Sequence, residues 1–234
     1  MKQYSELTAV IDTPEPQIIE VIADQNQGKS NFIHALVADL QKEYDMDIVT
    51  YAVDAEIEGA RQISSIAELE RCQNSLIIID EFYTLFGLNT NKRNFELIDK
   101  AMSTVYHPER NNVWVLIGLP HHFNKQISSR ATKMVFKQTT LADLVNGSQA
   151  KRVVTEYKRP ELGASALLVG KDEAMMYDCK TGEYTWMKVP HMTEKDVKLS
   201  NAPIFRKKVC KKVQEKVHGK YQKGNTKRNK KDTK

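Results

Sequence analysis

Apolar residues in this chain fall into short, nearly continuous runs: Ile18 to Ile22, Ile48 to Val53, Leu76 to Ile79, Val113 to Leu119 and Met134 to Phe136. A run of aliphatics such as Leu76-Ile77-Ile78-Ile79 suits a parallel strand covered on both faces, since an exposed face would impose alternation. Between the runs the period lengthens. Phe32, Leu36, Val37 and Leu40 share one helical face, Ile63 to Cys72 reads as a short helix with Ser64 or Ser65 as N-cap, and Phe95 to Val105 and Leu141 onward read as further helices. Alternating strands and helices predict the α/β class, with a mainly parallel central sheet flanked by helices. Beyond Pro160 the texture changes to short strands, Ala166 to Val169, Ala174 to Tyr177 and Tyr184 to Met187, divided by the turns Gly170-Lys171-Asp172 and Lys180-Thr181-Gly182-Glu183. These read as a β-meander at the sheet edge.

The pattern divides the chain into an N-terminal extension (1–16) ending in Thr13-Pro14-Glu15-Pro16, an α/β core (17–160), the meander (161–205) and a tail (206–234). Charge changes the picture only at the tail. There, 13 Lys or Arg face Glu215 and Asp232, a net of +11, so residues 1–205 carry −6 of the total +5. Such a block is expected to be disordered when free and drawn to a polyanion. With 41% hydrophobic and 28% charged residues, the chain as a whole has the composition of a soluble globular protein. No apolar run approaches the ~20 residues of a membrane helix, and no signal-peptide core stands at the start, so an intracellular protein is expected. Cys72, Cys179 and Cys210 are widely spaced and give neither a disulfide framework nor a zinc pattern.

The candidate chemistry begins where the first core strand ends. Ala23-Asp24-Gln25-Asn26-Gln27-Gly28-Lys29-Ser30 is the strand-to-helix turn of a phosphate-binding P-loop, with Ala23 where the usual pattern has Gly. Backbone N–H groups of this turn, through Asn31 at the helix start, converge on an anion. Lys29 reaches the β- and γ-phosphates of ATP, and the Ser30 hydroxyl can ligate Mg²⁺. Ala23 resists positive φ, so the loop is expected to start in a conformation alanine tolerates.

About fifty residues downstream, Asp80 and Glu81 close the run Leu76 to Ile79, the position of a Walker B pair. Asp80 there holds the Mg²⁺ shell, and Glu81 orients or deprotonates the water that attacks the γ-phosphate. His121 and His122 follow the strand Val113 to Leu119, and no third ligand at useful spacing makes them a metal site; a polar sensor is the better reading.

In this order the motifs resemble the FtsK/HerA superfamily of DNA-pumping ATPases, in particular the small genome-packaging ATPases of viruses and phages and their Zot-like relatives. The resemblance spans Gln17 to about Val189 and rests on A-x-x-x-x-G-K-S, I-I-I-D-E-F, Arg110 in H-P-E-R-N-N before the next strand, and His121 after it where the family has Gln. It implies Mg-ATP hydrolysis at sites shared between ring subunits, with Arg110 or Arg130 supplied by the neighbour. Its implied partners are double-stranded DNA, further copies of the chain in a hexameric or pentameric ring, and a capsid vertex or membrane proteins, in host cytoplasm or virion. A Zot-like assembly protein and a plasmid-mobilisation ATPase are the alternatives; a kinase would need an Arg-rich lid, which is not found.

Overall fold

In the computed structural model, the described residues are 4–11, 16–53, 57, 59–82, 96, 99–100, 102–103, 105, 107, 109–120, 123, 125–138 and 169–192. Among them, nine strands form one sheet: β1 (Tyr4–Ser5), β2 (Gln17–Ile22), β3 (Asp47–Tyr51), β4 (Ala60–Gln62), β5 (Ser75–Ile79), β6 (Val113–Gly118), β7 (Lys133–Phe136), β8 (Glu173–Asp178) and β9 (Tyr184–Lys188). Their order is β1-β9-β8-β7-β2-β6-β5-β3-β4. Pairing is parallel from β7 to β4 and between β1 and β9, and antiparallel only at β7–β8 and β8–β9. The expected α/β architecture is therefore the observed one.

Every residue of β2, β5 and β6 is buried, as unbroken aliphatic runs require. Alternate residues feed two cores. Ile19, Val21, Leu76, Ile78, Val113, Val115 and Ile117 pack with Phe32, Ile33, Leu36 and Leu40 of α1 (Lys29–Glu43), while Ile18, Ile77, Ile79, Trp114 and Leu116 face the opposite side with Phe82, Met102, Val105 and Ile127. The short helix expected at Ile63 to Cys72 is a 3₁₀ turn, Ile66–Arg71. Its N-cap is Ser65, whose hydroxyl accepts from the Ala67 N–H while the Glu68 carboxylate reaches back in a capping box.

Residues 4–11, expected to be an extension ahead of the core, pack into it. Tyr4 and Ser5 pair with Trp186 and Met187, and the 3₁₀ turn Leu7–Val10 buries Leu7, Val10 and Ile11. The meander is present as the β8–β9 hairpin, whose far side β1 covers. The strand expected at Ala166 to Val169, the helix at Leu141 to Val145, most of Phe95 to Val105 and the basic tail lie outside the described residues.

Candidate active site

The turn from β2 into α1 is built on two left-handed residues, Asn26 (φ 62) and Gly28 (φ 79). Asparagine tolerates that region better than most side chains, and glycine enters it freely. Ala23 does not need it. Its backbone N–H donates to the Gly118 carbonyl (3.3 Å), continuing the β2–β6 ladder, so alanine fits where the usual pattern has glycine. α1 starts at Lys29 with no side-chain cap and no acid in its first turn, which leaves the N–H groups at its start to be satisfied by an anion. Lys29 folds back over the loop, its Nζ donating to the carbonyls of Ala23 (3.4 Å) and Asp24 (3.2 Å). Burial lowers its pKa, opposed by the charges of Asp80, Asp24 and Glu81.

β5 delivers the acidic pair to the same place. The Asp80 N–H donates to the Tyr51 carbonyl at the end of β3, and the Phe82 N–H to Ile117 of β6, so the turn after β5 is fastened on both sides. Glu81 sits at φ 45, and its N–H donates to the Asp80 carboxylate at 2.7 Å. A left-handed glutamate is strained, and that strain fixes where the two carboxylates point relative to each other. Phe82 then turns inward against Phe123, the two rings tilted at 50° with centroids 4.5 Å apart, beside Gly118.

Between these elements lies a cleft of about 460 Å³ lined by Gln25, Asn26, Gly28, Lys29, Ser30, Ile33, His34, Val53, Asp80, Glu81 and Ile117. The structure thus brings together seven of the residues the sequence singled out for phosphate, metal and water: Gln25, Asn26, Gly28, Lys29, Ser30, Asp80 and Glu81. Ala23, Asp24 and Gln27 frame the loop without lining the cleft. Asn31 is committed elsewhere: its side-chain amide donates to the Pro190 carbonyl (2.8 Å) and accepts from the Met192 N–H (2.8 Å), which ties the first turn of α1 to the segment after β9. Among the described residues no group of three or more His, Cys, Asp or Glu side chains is placed to hold a metal. A hydroxyl and one carboxylate beside a phosphate cradle nevertheless suit Mg²⁺, which takes few protein ligands and keeps its water.

The two arginines lie elsewhere. Arg110 stands in the turn before β6, its carbonyl accepting from the Asn74 N–H ahead of β5, and Arg130 stands in the turn before β7. Both are at the N-terminal rim of the parallel strands, about 20 Å of strand away from the loop that follows β2. Arg130 pairs with Asp99 (2.7 Å), and the Arg110 guanidinium is partly buried with Nη1 lacking a hydrogen-bond partner among the described residues. His121 and His122 lie outside the described residues.

Two residues of the site were not singled out from the sequence. His34, on the cleft-facing side of α1, is 7% exposed, and burial lowers its pKa. Lys137, which follows β7, is fully buried beside Gly28: a Cβ added to Gly28 would stand 3.7 Å from Lys137 Cε. The signal for Lys137 was its place after a strand, which in a parallel sheet is the rim that carries the loop.

No family model matches the chain, and no curated protein matches it. Solved structures do. The DNA-packaging ATPase B204 of Sulfolobus turreted icosahedral virus superposes with a TM-score of 0.55 over 76% of this chain and 100% of its own, at 15% identity. The chain shares the fold of these ATPases. The genome packaging NTPase B204 of Sulfolobus turreted icosahedral virus 2, in complex with ATP-γS, gives 0.54 over 75% of this chain and 98% of its own at 13% identity. The cytoplasmic domain of the type VII secretion ATPase EccC of Thermomonospora curvata gives 0.51 over 76% of this chain and 24% of its own at 8% identity. It is the fold that the FtsK/HerA-like order of motifs implied, with a further strand, β6, between the strand that carries the loop and the strand that carries the acids.

Proposed function

We propose that the chain hydrolyses Mg-ATP in this cleft and, as one subunit of a homo-oligomeric ring, uses the turnover to move double-stranded DNA into a viral capsid. The observation that carries the first step is the convergence of Lys29, Ser30, Asp80 and Glu81, from two strands separated by a third, on one cleft behind an anion-ready helix start. The loop N–H groups and Lys29 hold the phosphates. Ser30 and Asp80 would hold Mg²⁺, which when bound neutralises charge on the β- and γ-phosphate oxygens. Glu81, set by its left-handed backbone and by the Asp80 contact, orients the attacking water and accepts its proton. The fold shared with ATPases solved with a nucleotide analogue supports this reading.

The arginines support the ring. Arg110 and Arg130 sit at the rim opposite this chain's own cleft, so either can meet a nucleotide only on another subunit. The basic tail and the packaging ATPases of the same fold support DNA as the polymer moved, with the polyanion's phosphates as the contact. No helix among the described residues is long and apolar enough to cross a membrane, so a capsid vertex or a membrane protein would be met as a separate partner.

The test is ATP turnover by the purified protein, with and without double-stranded DNA, across protein concentration. Turnover per subunit that rises with concentration and with DNA is expected. Turnover independent of both would overturn the shared-site and DNA readings, and the absence of turnover under all conditions would overturn the ATPase reading.

A further inference from the structure

β7 begins on one buried lysine, Lys133, and is followed directly by another, Lys137. At its start, Lys133 Nζ donates to the carbonyls of Ala9 (3.4 Å) and Val10 (3.0 Å), closing the N-terminal 3₁₀ turn. At its end, Lys137 Nζ donates to the carbonyls of Lys171 (2.9 Å) and Glu173 (2.6 Å) in the turn that opens the hairpin. Only the second lies at the phosphate rim. The Lys137 backbone N–H donates to Ile22, the last residue of β2, and its Cε lies against Gly28, whose left-handed turn aims the loop. A buried lysine is costly to keep charged, and two carbonyl acceptors are a reason to keep it so.

We propose that Lys137 is a positioning residue of the nucleotide site: anchored on the Lys171 and Glu173 carbonyls, it braces the Gly28 turn from behind and sets a second positive charge behind the phosphates. This rests on the reading that the cleft binds Mg-ATP. The brace makes the β8–β9 hairpin part of the site's scaffold. Asp172, just before β8, and Glu173, its first residue, favour the Lys137 charge; Lys188 of β9 pairs with both, and the Tyr4 hydroxyl of β1 donates to Glu173. Lys29 lines the cleft, and Lys137 does not. Burial outweighs the two acids and brings the Lys137 pKa down to about 8.

A charge behind the loop attracts the phosphates equally in ground and transition states, so its loss raises KM and spares kcat. In the full-length protein Lys137→Met is expected to raise KM for Mg-ATP about tenfold with kcat within about twofold. Lys133→Met, which removes the buried lysine at the opposite end of β7, is expected to keep the wild-type KM. A pH profile supplies the second readout. Below pH of about 8 Lys137 carries its charge and above it loses it, so wild-type affinity for ATP weakens as pH rises through that value. Lys29 contributes its own fall, so the comparison is with Lys137→Arg, which holds its charge throughout and is expected to bind ATP with the component near pH 8 removed. If Lys137→Met does not fold, the wild-type and Lys137→Arg profiles decide alone. Wild-type KM and profile in the variants would overturn the proposal, as would equal KM rises in Lys137→Met and Lys133→Met. A wild-type protein that neither binds nor hydrolyses ATP would remove the nucleotide reading itself, before any variant is compared.

Discussion

The two rims of the parallel sheet carry different halves of the chemistry. At the C-terminal rim, Lys29, Ser30, Asp80 and Glu81 line one cleft with Lys137 buried behind its loop, and the turns that carry them are held by backbone contacts between β2, β3, β5 and β6. At the N-terminal rim, Arg110 and Arg130 stand in turns before β6 and β7 with no polyphosphate cradle beside them. Parallel strands all point one way, so a residue just after a strand and one just before it are separated by the strand's full length. The difference separates an anion-ready loop with two acids at one rim from two arginines at the other, and the shared site proposed above is what would bring the two sets together.

The largest effect expected is at the first rim. Lys29→Ala removes the cation from the phosphate loop, and nucleotide binding and hydrolysis should both be lost in equilibrium-binding and turnover assays. Next, Arg110→Ala should lower kcat on the order of 10³ with nucleotide affinity nearly unchanged. These two inactive proteins sharpen the comparison when mixed: the intact loop of one subunit then faces the intact arginine of another, and part of the activity should return. Mixtures that stay inactive would break it. Glu81→Gln should retain ATP binding and lose roughly 10²- to 10⁴-fold in kcat, because the water loses its proton acceptor. Near-wild-type turnover would show that another group handles the water.

Two smaller effects concern what holds the first rim in shape. A Cβ at Gly118 would meet the Phe82 ring at 2.7 Å and Phe123 at 3.1 Å, so Gly118→Ala should lower stability by about 1–3 kcal/mol in a denaturant titration and disturb the turn that carries Glu81. Asn31→Ala releases the Pro190–Met192 segment from α1 and should cost about 1 kcal/mol, with a smaller change in turnover than any substitution above.

The parallel strands were legible because each is buried on both faces and so reads as a continuous aliphatic run. The loop and the acidic pair were legible because their positions after strands follow from the same runs. Ala23 looked like a defect in the loop, and the structure explains why it is none: positive φ is needed at Asn26 and Gly28 only. What the sequence hid depends on strand order. Lys137 acquires meaning once β7 lies beside β2, and the strand order is not a local property of the chain. β1 is two residues long, has no periodicity to read, and finds its partner at Trp186. Asn31 was read for its backbone N–H at the helix start, and nothing local announced that its side chain bonds to a carbonyl 159 residues away. Glu20, wholly buried in the middle of β2, passed unnoticed inside an apolar run, and no role follows for it here.

The chain has two tryptophans, and the sheet separates them: Trp114 in β6, wholly buried with its indole nitrogen unpaired among the described residues, and Trp186 in β9, on the hairpin side of β7. Tryptophan fluorescence, selected by excitation beyond the tyrosine band, therefore comes from buried positions, with one emitter in the parallel half and one in the antiparallel flank. Exchanging either for phenylalanine leaves a single optical reporter for one half. The hairpin's loosening and the melting of the phosphate-binding half can then be followed as separate signals, by light, without attaching a label.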